Sequence, residues 1–501
     1  MNTQQVDQKT WLLQALLSGF DVVVDAHLTI TGIALDSRQV KPGDLFIALP
    51  GSRVNGHQFI TQAVERGAVG VLAEANSVLA ETQYDYAIPV FLMQNLSTQV
   101  GSIISRYFHN PSEHIQVIGV TGTNGKTSTS HFIAQLFSAL NISAGVMGTL
   151  GYGMLDALNA SLNTTPSSLV IQSHLTELVQ KRVAYLAMEA SSHGVEQGRL
   201  VGCKFETMIF TNLSRDHLDF HGTMEAYAQS KAKLFAWPEL KHAIINLDDD
   251  YAAFIKHSVA ETTEQITYSL SNASADVYAS QIQYLPHGIQ CLLHTPWGSV
   301  LANIPLLGHF SLQNVLAAVA ALGCHGQPVE RIVDALSALK TVPGRMEYFG
   351  EENQPTVVVD YAHTPDALAH LLKAVRLHSL GKVVCVFGCG GDRDSGKRPL
   401  MAEAVAQCAD ECVVTSDNPR TEDPSAIIND IMPGFKHAQL QVHVEVDRAK
   451  AIQEAILAAR PDDIVVVAGK GHEDYQEVNG QRYPFSDLVQ VAKVLKEYAY
   501  D

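Results

Sequence analysis

The sequence lacks any long apolar run, and basic residues are scarce in it relative to acidic ones. A helix that spans a membrane needs about 20 consecutive apolar residues, so we expect no membrane insertion. The chain has 34 Lys and Arg against 52 Asp and Glu, a formal net charge of −18. Since such a surface repels nucleic acids and anionic lipids, we expect neither as a partner. Anionic substrates would need local basic pockets.

Cysteine is also sparse, and the seven cysteines show no spacing typical of a metal site. Cys385, Cys389, Cys408 and Cys412 lie in or beside apolar runs, where small buried thiols are common. Near the N-terminus, "WLLQALLSGF" lacks the basic leader and the cleavage site of a signal peptide, so we interpret it as an amphipathic helix. These features predict a cytoplasmic protein.

The 501 residues, 46% apolar and 17% charged, predict a folded protein of more than one domain. The first region combines a helical "GHQFITQAVERGA" with short strand-like runs: "DVVVDAHLTITGIAL", "DLFIALPG" and "VGVLAEA". After a break at "HNPSEH", helices alternate with apolar runs typical of buried parallel strands: "IQVIGVT", "VAYLAME", "TMIFTNLS" and "HAIINLD". The pattern is α/β throughout.

A third region begins near "VPGRMEYFG" and repeats one design, an apolar strand that ends in a polar, Gly-rich or Pro-containing loop. The copies are "PTVVVDYAH", "KVVCVFGCGGDRD", "ECVVTSDNPR" and "DIVVVAGKGHED". In open α/β sheets, ligands bind beyond the carboxyl ends of the strands. Simple solvated turns would not favour charged residues in each loop, so the pattern predicts a binding rim.

The stretch "GVTGTNGKTSTS" joins the strand-like "IQVI" to the helical "HFIAQLFSAL". Glycines let backbone N–H groups approach phosphate oxygens, and a helix N-terminus adds positive partial charge. Lys126 can then reach the β- and γ-phosphates of a nucleoside triphosphate, and the Thr127 hydroxyl can bind Mg²⁺. The common phosphate-loop rule places glycine at position 120, where this chain has Val120, so the loop is a variant of that motif.

A metal ion needs further ligands, and Glu189 ends the apolar strand "VAYLAME" where a carboxylate could hold Mg²⁺. An unpaired buried carboxylate is costly, so glutamate is seldom a mere filler there. The loop "TNLSRDHLDFHG" adds His217 and His221, whose spacing of four could also fit zinc. No third zinc-type ligand is evident, which favours magnesium.

Eight motifs in order along the chain resemble those of the Mur ligases of peptidoglycan precursor synthesis: "GVTGTNGKTSTS", "MEASSHG", "TNLSRDHLDFHG", "GRMEYF", "DYAHTPDAL", "GCGGDRDSGKRPLM", "DNPRTEDP" and "VAGKGHEDYQ". The resemblance runs from "LDSR" near residue 35 to the last strand. It implies three domains: a smaller N-terminal α/β domain that binds a UDP-linked precursor (1–110), a central ATP-binding domain with a P-loop ATPase-type parallel sheet (111–343), and a C-terminal Rossmann-like domain that binds an amino acid (344–501).

The resemblance also implies an ATP-dependent ligase. ATP would phosphorylate the D-glutamyl side-chain carboxylate of UDP-N-acetylmuramoyl-L-alanyl-D-glutamate, and an amine would attack the acyl phosphate. Positioning and screening of the anions by Mg²⁺ and Lys126 suit that chemistry. We expect ATP and the amino acid to lie on different domains, which close so that the acyl phosphate is shielded from water. No coiled-coil repeat calls for a partner chain, so we expect a monomer.

Site residues follow from the family motifs. The ATP loop comprises Gly122, Thr123, Asn124, Gly125, Lys126, Thr127 and Ser128, with further nucleotide contacts from Asn314, Arg345 and Asp360. The metal site comprises Thr127, Glu189, His217 and Lys231. Lys231 matches the lysine that the family carbamylates to N6-carboxylysine, with Lys233 as the neighbouring competitor. The UDP-precursor site comprises Leu35, Ser37, Ser52, Arg53, Val54, Asn163, Thr164, Thr165, Ser191, Gln197 and Arg199.

The motif "DNPRTEDP" predicts meso-diaminopimelate as the amino acid. Its far end carries a carboxylate beside an ammonium, whereas lysine has only the ammonium. Arg420 and Arg393 can each pair with a carboxylate, and lysine would bring its cation against Arg420. The amino-acid contacts implied by the resemblance are Arg393, Asp417, Asn418, Pro419, Arg420, Gly469 and Glu473.

Three other functions compete. A folylpolyglutamate synthase shares the ATP loop, but its pattern does not lead one to expect "LDSR" or "DNPR". A dinucleotide-binding oxidoreductase is suggested by "FGCGGDRD", but the fingerprint G-x-G-x-x-G fails because its sixth position is Arg393. A non-catalytic ATP-hydrolysing switch leaves the charged rim of the third region unexplained.

Overall fold

The computed structural model describes residues 10–25, 27–51, 55–75, 86–161, 163–351 and 353–498. The chain forms two compact units, one of residues 1–130 and 141–266, the other of residues 131–140 and 267–501. Among the described helices, none combines the length and apolar character that crossing a bilayer requires.

The N-terminal part of the first unit contains a parallel sheet in the strand order β3-β4-β5-β6. Strands β4 and β5 are buried along their whole length, as expected for a sheet covered on both faces. The elements are β1 (Trp11–Leu12), α1 (Leu13–Leu16), β2 (Thr29–Ile30), β3 (Gly32–Ala34), β4 (Asp44–Ala48), α2 (Ile60–Glu65), β5 (Gly70–Glu74), β6 (Val90–Met93) and α3 (Leu96–Tyr107).

Two local predictions in this part are wrong. The run "DVVVD" at residues 21–25 forms no strand. Val22 and Val24 pack against the core while Val23 is 93% exposed, so the alternation reflects packing of an extended segment rather than sheet pairing. The predicted N-terminal amphipathic helix is only the single turn α1, because Trp11 and Leu12 pair with Ile30 and Thr29 instead.

The rest of the first unit is built on a sheet in the order β10-β9-β8-β11-β7-β12-β13. The pairs from β8 to β13 are parallel, which confirms the four predicted strands, and β9 and β10 extend the sheet antiparallel. The elements are β7 (Gln116–Thr121), α4 (Lys126–Ala139), β8 (Ala144–Gly148), β9 (Gly151–Met154), β10 (Ala157–Asn159), α5 (Ser168–Gln180), β11 (Tyr185–Glu189), α6 (Ser192–Glu196), β12 (Thr207–Phe210), α7 (Leu218–His221), α8 (Met224–Ala232), β13 (His242–Asn246) and α9 (Ala252–Ser258).

The strand order decides where the functional residues meet. Strand β7 lies between β11 and β12, and all three are parallel. The loops that follow them therefore leave the sheet at the same edge. These are the glycine-rich loop after β7, Glu189 at the end of β11 and the "TNLSRDH" segment after β12.

The second unit contains an antiparallel ribbon of β15, β16 and β17, and β14 joins it through Tyr268 and Ser269. A second sheet has the order β18-β19-β23-β20-β21-β22, parallel except for β18. The elements are β14 (Glu264–Ser269), β15 (Val277–Leu285), β16 (Gly288–Thr295), β17 (Gly298–Ile304), α10 (His309–Cys324), α11 (Val329–Leu336), β18 (Glu347–Phe349), β19 (Thr356–Asp360), α12 (Pro365–Arg376), β20 (Val383–Phe387), α13 (Lys397–Cys408), β21 (Glu411–Val414), α14 (Pro424–Ile431), β22 (Gln441–Val444), α15 (Arg448–Ala458), β23 (Ile464–Ala468), β24 (Tyr475–Val478), β25 (Gln481–Pro484) and α16 (Asp487–Glu497).

Helices cover both faces of the C-terminal sheet. Apolar residues of α12, α13 and α14 pack on one face and those of α15 and α16 on the other. Thr364, Asp423 and Asp447 cap α12, α14 and α15 by accepting backbone N–H bonds, which stops each loop and starts the helix at a defined residue. The predicted α/β class and the predicted C-terminal Rossmann-like sheet are confirmed.

Candidate active site

Strand β7 ends directly before a loop that needs glycine. Gly122 has φ +150° and Gly125 has φ +83°, conformations that residues with a Cβ rarely adopt. A Cβ on Gly122 would lie 1.9 Å from Thr211 Oγ1, so the loop packs closely against the end of β12. The Asn124 N–H donates to Asn212 Oδ1 at 2.9 Å. The loop is thus held in one shape at the N-terminus of α4, as an anion cradle requires.

Two lysine side chains reach the same carbonyl of this loop. Lys126 Nζ donates to the carbonyl oxygens of Gly122 and Thr123, each at 2.9 Å. Lys231, on α8, donates from Nζ to the Gly122 oxygen at 2.8 Å and is 1% exposed. Burial, and then the Lys126 charge, lower the pKa of Lys231 well below its ordinary value. More of its amine is therefore neutral at a given pH than in an exposed lysine.

Lys233, the neighbouring candidate, is exposed and pairs instead with Glu196, with 2.7 Å between Nζ and Oε1. The structure therefore places Lys231 rather than Lys233 against the glycine-rich loop.

Glu189, at the end of β11, is 1% exposed and joins three elements. Its Oε1 accepts from Thr127 Oγ1 at 2.9 Å and from the Thr149 N–H at 2.8 Å, and its Oε2 accepts from Thr149 Oγ1 at 3.2 Å. Burial raises the pKa of the Glu189 carboxyl, and the nearby Lys126 charge and these hydrogen bonds oppose that rise. The carboxylate is thus fixed beside the first turn of α4.

The predicted precursor residues extend from the same carboxylate. The hydroxyl oxygens of Thr149 and Thr164 lie 3.0 Å apart, within hydrogen-bond distance. Thr165 Oγ1 donates to the Glu189 carbonyl oxygen at 2.8 Å and accepts from the Ser191 N–H at 2.9 Å. The predicted ATP loop and part of the predicted precursor site therefore share Glu189.

Arg199 completes this group. Its Nη1 donates to the Thr165 carbonyl oxygen at 2.6 Å, and its Nη2 donates to Gln197 Oε1. Burial lowers the pKa of Arg199 from its ordinary value. Asn163 is exposed beside Thr164, with its carbonyl oxygen accepting from Ser161 Oγ. The fork of Arg199 is thus oriented by two acceptors before any substrate binds.

His217 lies in the loop after β12 with φ +52°, and its ring centre is 4.8 Å from that of His193 and 6.0 Å from that of Tyr227. Its Nε2 lies 3.4 Å from Asp216 Oδ2. The other histidine of the zinc hypothesis is His221. Its Nε2 forms a hydrogen bond with Ser192 Oγ, 2.9 Å away. Within the described ranges, no three His, Cys, Asp or Glu side chains are arranged to hold a metal ion.

Magnesium fits this edge better than zinc does. The Thr127 hydroxyl and the Glu189 carboxylate are the hard oxygen donors that Mg²⁺ prefers, and they are already in contact. As an amine, Lys231 is a poor magnesium ligand, whereas its carbamate would be a carboxylate at the same place. The donor set is therefore compatible with the predicted ion.

The predicted contacts of the first region are only partly described. Ser37 Oγ donates to Gln62 Oε1 at 2.6 Å, and Leu35 packs against the core. The remaining predicted residues, Ser52, Arg53 and Val54, lie outside the described residues.

In the second unit, the loops after β21 and β23 meet at the carboxyl edge of the sheet. Asn418 Nδ2 donates to Glu473 Oε2 at 2.9 Å. Lys470, with 0% exposure, donates from Nζ to Asn418 Oδ1 at 3.0 Å and to Glu473 Oε2 at 2.9 Å. Gly469 has φ +120°, and a Cβ there would lie 2.6 Å from Asp417 Oδ2. Glycine is thus required for the two loops to approach.

Arg420 lies beside this network with φ +52°. Its Nη1 donates to the Gly391 carbonyl oxygen at 2.7 Å, and its Nε lies 3.8 Å from Glu477 Oε2. A Cβ at Gly390 would lie 3.0 Å from Arg420 Nη1 and 3.9 Å from Arg393 Cγ, so both arginines flank the loop after β20. These loops contain every predicted amino-acid contact: Arg393, Asp417, Asn418, Pro419, Arg420, Gly469 and Glu473.

The predicted further nucleotide contacts lie on separate elements of the second unit. Asp360, at the end of β19, accepts from the Met346 N–H at 2.8 Å, and burial raises the pKa of its carboxyl. Arg345 is exposed, with its guanidinium carbon 5.8 Å from the Tyr361 ring centre. Asn314 lies buried on α10.

Three residues at these sites were missed. Thr149, Lys470 and Glu477 each form a hydrogen bond with a predicted residue, Glu477 through its backbone N–H to Asn418 Oδ1. Thr149 directly follows β8, which pairs with β11. A hydroxyl residue at the end of β8 was therefore the one sequence feature that could have indicated its role. Lys470 and Glu477 stand within or just after the quoted motif "VAGKGHEDYQ", but nothing in the sequence alone indicates their partners.

Comparison with known proteins identifies the family to which the chain belongs. Family models match three segments of the chain: "Mur ligase family, catalytic domain" over residues 29–126, "Mur ligase middle domain" over 120–322, and "Mur ligase, glutamate ligase domain" over 344–471.

Curated relatives named UDP-N-acetylmuramoyl-L-alanyl-D-glutamate–2,6-diaminopimelate ligase include one from Pseudomonas aeruginosa, 47% identical over 471 residues, covering 94% of this chain and 96% of the relative. Another, from Coxiella burnetii, is 43% identical over 490 residues, covering 96% and 99%. A solved structure with the same name is 39% identical with a TM-score of 0.79, covering 98% of this chain and 99% of that one. This chain therefore belongs to the Mur ligase family.

Proposed function

We propose that this protein is an ATP-dependent ligase that joins meso-diaminopimelate to the D-glutamyl side-chain carboxylate of UDP-N-acetylmuramoyl-L-alanyl-D-glutamate, a step of peptidoglycan precursor synthesis. Family membership and the names of the full-length relatives support the reaction and its substrates. The three family matches support a division of labour among residues 1–110 for the UDP precursor, 111–343 for ATP and 344–501 for the amino acid.

The observation that carries the proposal is the position of Glu189. It accepts a hydrogen bond from Thr127 of the glycine-rich loop and is linked through Thr149 to Thr164, while its carbonyl oxygen holds Thr165. A γ-phosphate on the loop and a carboxylate held by the threonines and Arg199 would then be neighbours. That is the arrangement that phosphoryl transfer to a carboxylate needs.

The side chains of this edge suit the first step. The loop N–H groups and Lys126 would hold the triphosphate, and Arg199 would hold an anionic group of the precursor. A bound Mg²⁺ at Thr127 and Glu189, joined by the carbamate of Lys231 and by His217, would screen the charge between the two anions. The carboxylate oxygen attacks the γ-phosphorus, the bond to ADP breaks, and an acyl phosphate results.

The rim of the second unit suits the second step. Glu473 and Asn418 offer acceptors for the ammonium at the far end of diaminopimelate, and Arg420 and Arg393 offer forks for its carboxylates. With that end held, the other amine attacks the acyl carbon, phosphate leaves, and the nitrogen loses a proton as the amide forms. We expect a monomer that acts in the cytoplasm, which suits its seven free cysteines.

The test uses the purified full chain with ATP, magnesium, UDP-N-acetylmuramoyl-L-alanyl-D-glutamate and meso-diaminopimelate. Phosphate release that requires all the substrates, with an amide product of the expected mass, supports the proposal. Parallel reactions replace diaminopimelate with lysine, or the precursor and amino acid with a folate and glutamate. Release that is independent of the precursor, or that proceeds equally well with lysine, contradicts it.

A further inference from the structure

Lys470 stands at the centre of the predicted amino-acid site, although the proposed reaction assigns it no role. It is 0% exposed, and its Nζ donates to Glu473 Oε2 at 2.9 Å and to Asn418 Oδ1 at 3.0 Å. The Nζ also lies 5.5 Å from the Tyr475 ring centre. A buried ammonium is costly unless it is paired. Lys470 and Glu473 therefore form a standing ion pair, present before substrate arrives.

This pair changes what Glu473 can offer to a ligand. Glu473 Oε2 already accepts from both Lys470 and Asn418, and its side chain is 17% exposed. An unpaired carboxylate in such a place would attract any ammonium, from diaminopimelate or from lysine. A carboxylate that is already neutralised attracts a lone cation weakly.

The second charged pair of the rim works in the same direction. Arg420 Nε lies 3.8 Å from Glu477 Oε2, so the arginine has a carboxylate beside it. Its Nη1 donates instead to the Gly391 carbonyl oxygen. The far end of diaminopimelate is a zwitterion and can pair with the arginine and the glutamate together. The far end of lysine brings one positive charge to a group whose own charges already cancel.

We propose that Lys470 is a specificity-determining positioning residue that suppresses the use of lysine by cancelling the charge of Glu473. This inference rests on the proposed function, and it acts through Glu473 rather than through contact with the reacting atoms. Removing the Lys470 charge creates an unpaired carboxylate at the place where the lysine ammonium would bind. We expect the variant to use L-lysine as a substrate better than the wild type does. If Lys470 had only a structural role, its loss would lower kcat/KM for both substrates alike.

The experiment measures kcat/KM for meso-diaminopimelate and for L-lysine in the wild type and in two neutral variants, Lys470→Met and Lys470→Gln, the second of which retains a hydrogen-bond donor. We expect the diaminopimelate-to-lysine ratio to fall at least tenfold in both variants, with kcat/KM for lysine rising in absolute terms. The double variant Lys470→Met/Glu473→Gln lacks the Glu473 carboxylate through which Lys470 is proposed to act, and its lysine gain is expected to vanish.

The matched control is Lys382→Met, because Lys382 is an exposed lysine of the same unit that pairs with Glu411 at 2.6 Å. Its substrate ratio is expected to equal that of the wild type. An equal loss for both substrates in the Lys470 variants overturns the inference, as does the failure of both variants to fold by thermal melting. A wild type that makes no product from diaminopimelate refutes the proposed function itself, which is a different result.

Discussion

The glycine-rich loop of the first unit and the amino-acid rim of the second unit each lie at the carboxyl edge of parallel strands. The two sites differ in how their buried charged side chains are paired. At the loop, the side chains of Lys126 and Lys231 both donate to the Gly122 carbonyl oxygen, and neither of these two hydrogen bonds is to a carboxylate. At the rim, cations are paired with carboxylates, as in Lys470 with Glu473. The buried pair of Arg448 and Asp487, with 0% exposure on both side chains, stands behind it.

This difference matches the charges of the proposed ligands. A triphosphate brings several negative charges, so the loop N–H groups and the Lys126 ammonium would gain acceptors when ATP binds. An amino acid is a zwitterion, and a site whose own charges cancel can recognise the arrangement of its charges rather than their sum. We therefore expect the hydrogen-bond donors of the loop to give affinity for phosphate, and the geometry of the charges at the rim to give discrimination between amino acids. The predictions below test each side of this comparison.

The largest effect is expected at the loop. Lys126→Gln removes a cation that is positioned for the β- and γ-phosphates, and we expect kcat to fall on the order of 10³-fold, the usual cost of losing one preorganised charge in phosphoryl or acyl transfer. Phosphate release at saturating substrates measures it. Lys204→Gln serves as the control, because Lys204 is exposed and pairs with Glu239. A loss of less than tenfold in Lys126→Gln would contradict the proposed role of the loop.

The second prediction separates two lysines that lie two positions apart on the chain but differ in environment. Lys231→Ala removes the buried amine whose lowered pKa favours its reaction with CO₂, and we expect activity to fall on the order of 10²-fold. Lys233→Ala removes only the exposed pair with Glu196 and is expected to leave activity within about twofold. Intact mass of the native protein, with and without bicarbonate, checks for one added CO₂. Equal losses in the two variants would rule out the assignment.

The sequence was informative where a strand and its functional loop are contiguous. The run from Gln116 to Lys126 indicates both the buried strand and the glycine conformations of the phosphate loop. The run "ECVVTSDNPR" indicates a buried strand followed directly by the polar loop residues Asn418 and Arg420. Local patterning of this kind is visible because apolar burial and positive φ each demand particular residues. The α/β class and the parallel strands follow from the same signals.

Contacts between the ends of different strands are harder to predict from the sequence. Thr149 reaches Glu189 only because β8 pairs with β11, and 40 residues separate the two in the chain. Lys470 is buried only because Asn418 and Glu473 converge on it from different loops. An apolar alternation such as "DVVVD" misleads for the opposite reason, since half-burial of an extended segment occurs without sheet pairing. Which strands are neighbours decides these cases, and that is a property of the tertiary fold.

The third prediction turns to the rim. Arg420→Ala removes the fork that we assign to a carboxylate of diaminopimelate, and we expect kcat/KM for diaminopimelate to fall about 10²-fold while the KM for ATP stays unchanged. Substrate-specific steady-state kinetics measure both. Arg376→Ala is the matched control, because Arg376 lies in the same unit and pairs with Asp410 at 2.6 Å. An unchanged KM for diaminopimelate in Arg420→Ala would remove Arg420 from the site.

The smallest expected effect is on the pH dependence of stability. It concerns a buried histidine on α4, the helix that begins at Lys126. His131 on this helix is 7% exposed, and burial lowers the pKa of its imidazole to about 4. The unfolded chain binds a proton near the ordinary pKa of about 6.5, so between these two values the unfolded state holds more protons and stability falls as the pH falls. Above pH 6.5, His131 is neutral in both states and does not change the free energy of unfolding. By pH 5, its protonation in the unfolded chain lowers that free energy by about 2 kcal/mol.

Replacing the imidazole with a group that does not titrate removes that dependence. In His131→Leu, we expect the loss of thermal stability between pH 7.5 and pH 5 to be smaller than in the wild type by about 2 kcal/mol, as melting curves at the two pH values would show. His437→Leu, at an exposed position of the second unit, is expected to leave the pH dependence as it is. Parallel curves for the wild type and His131→Leu would mean that acid acts on the fold through other groups.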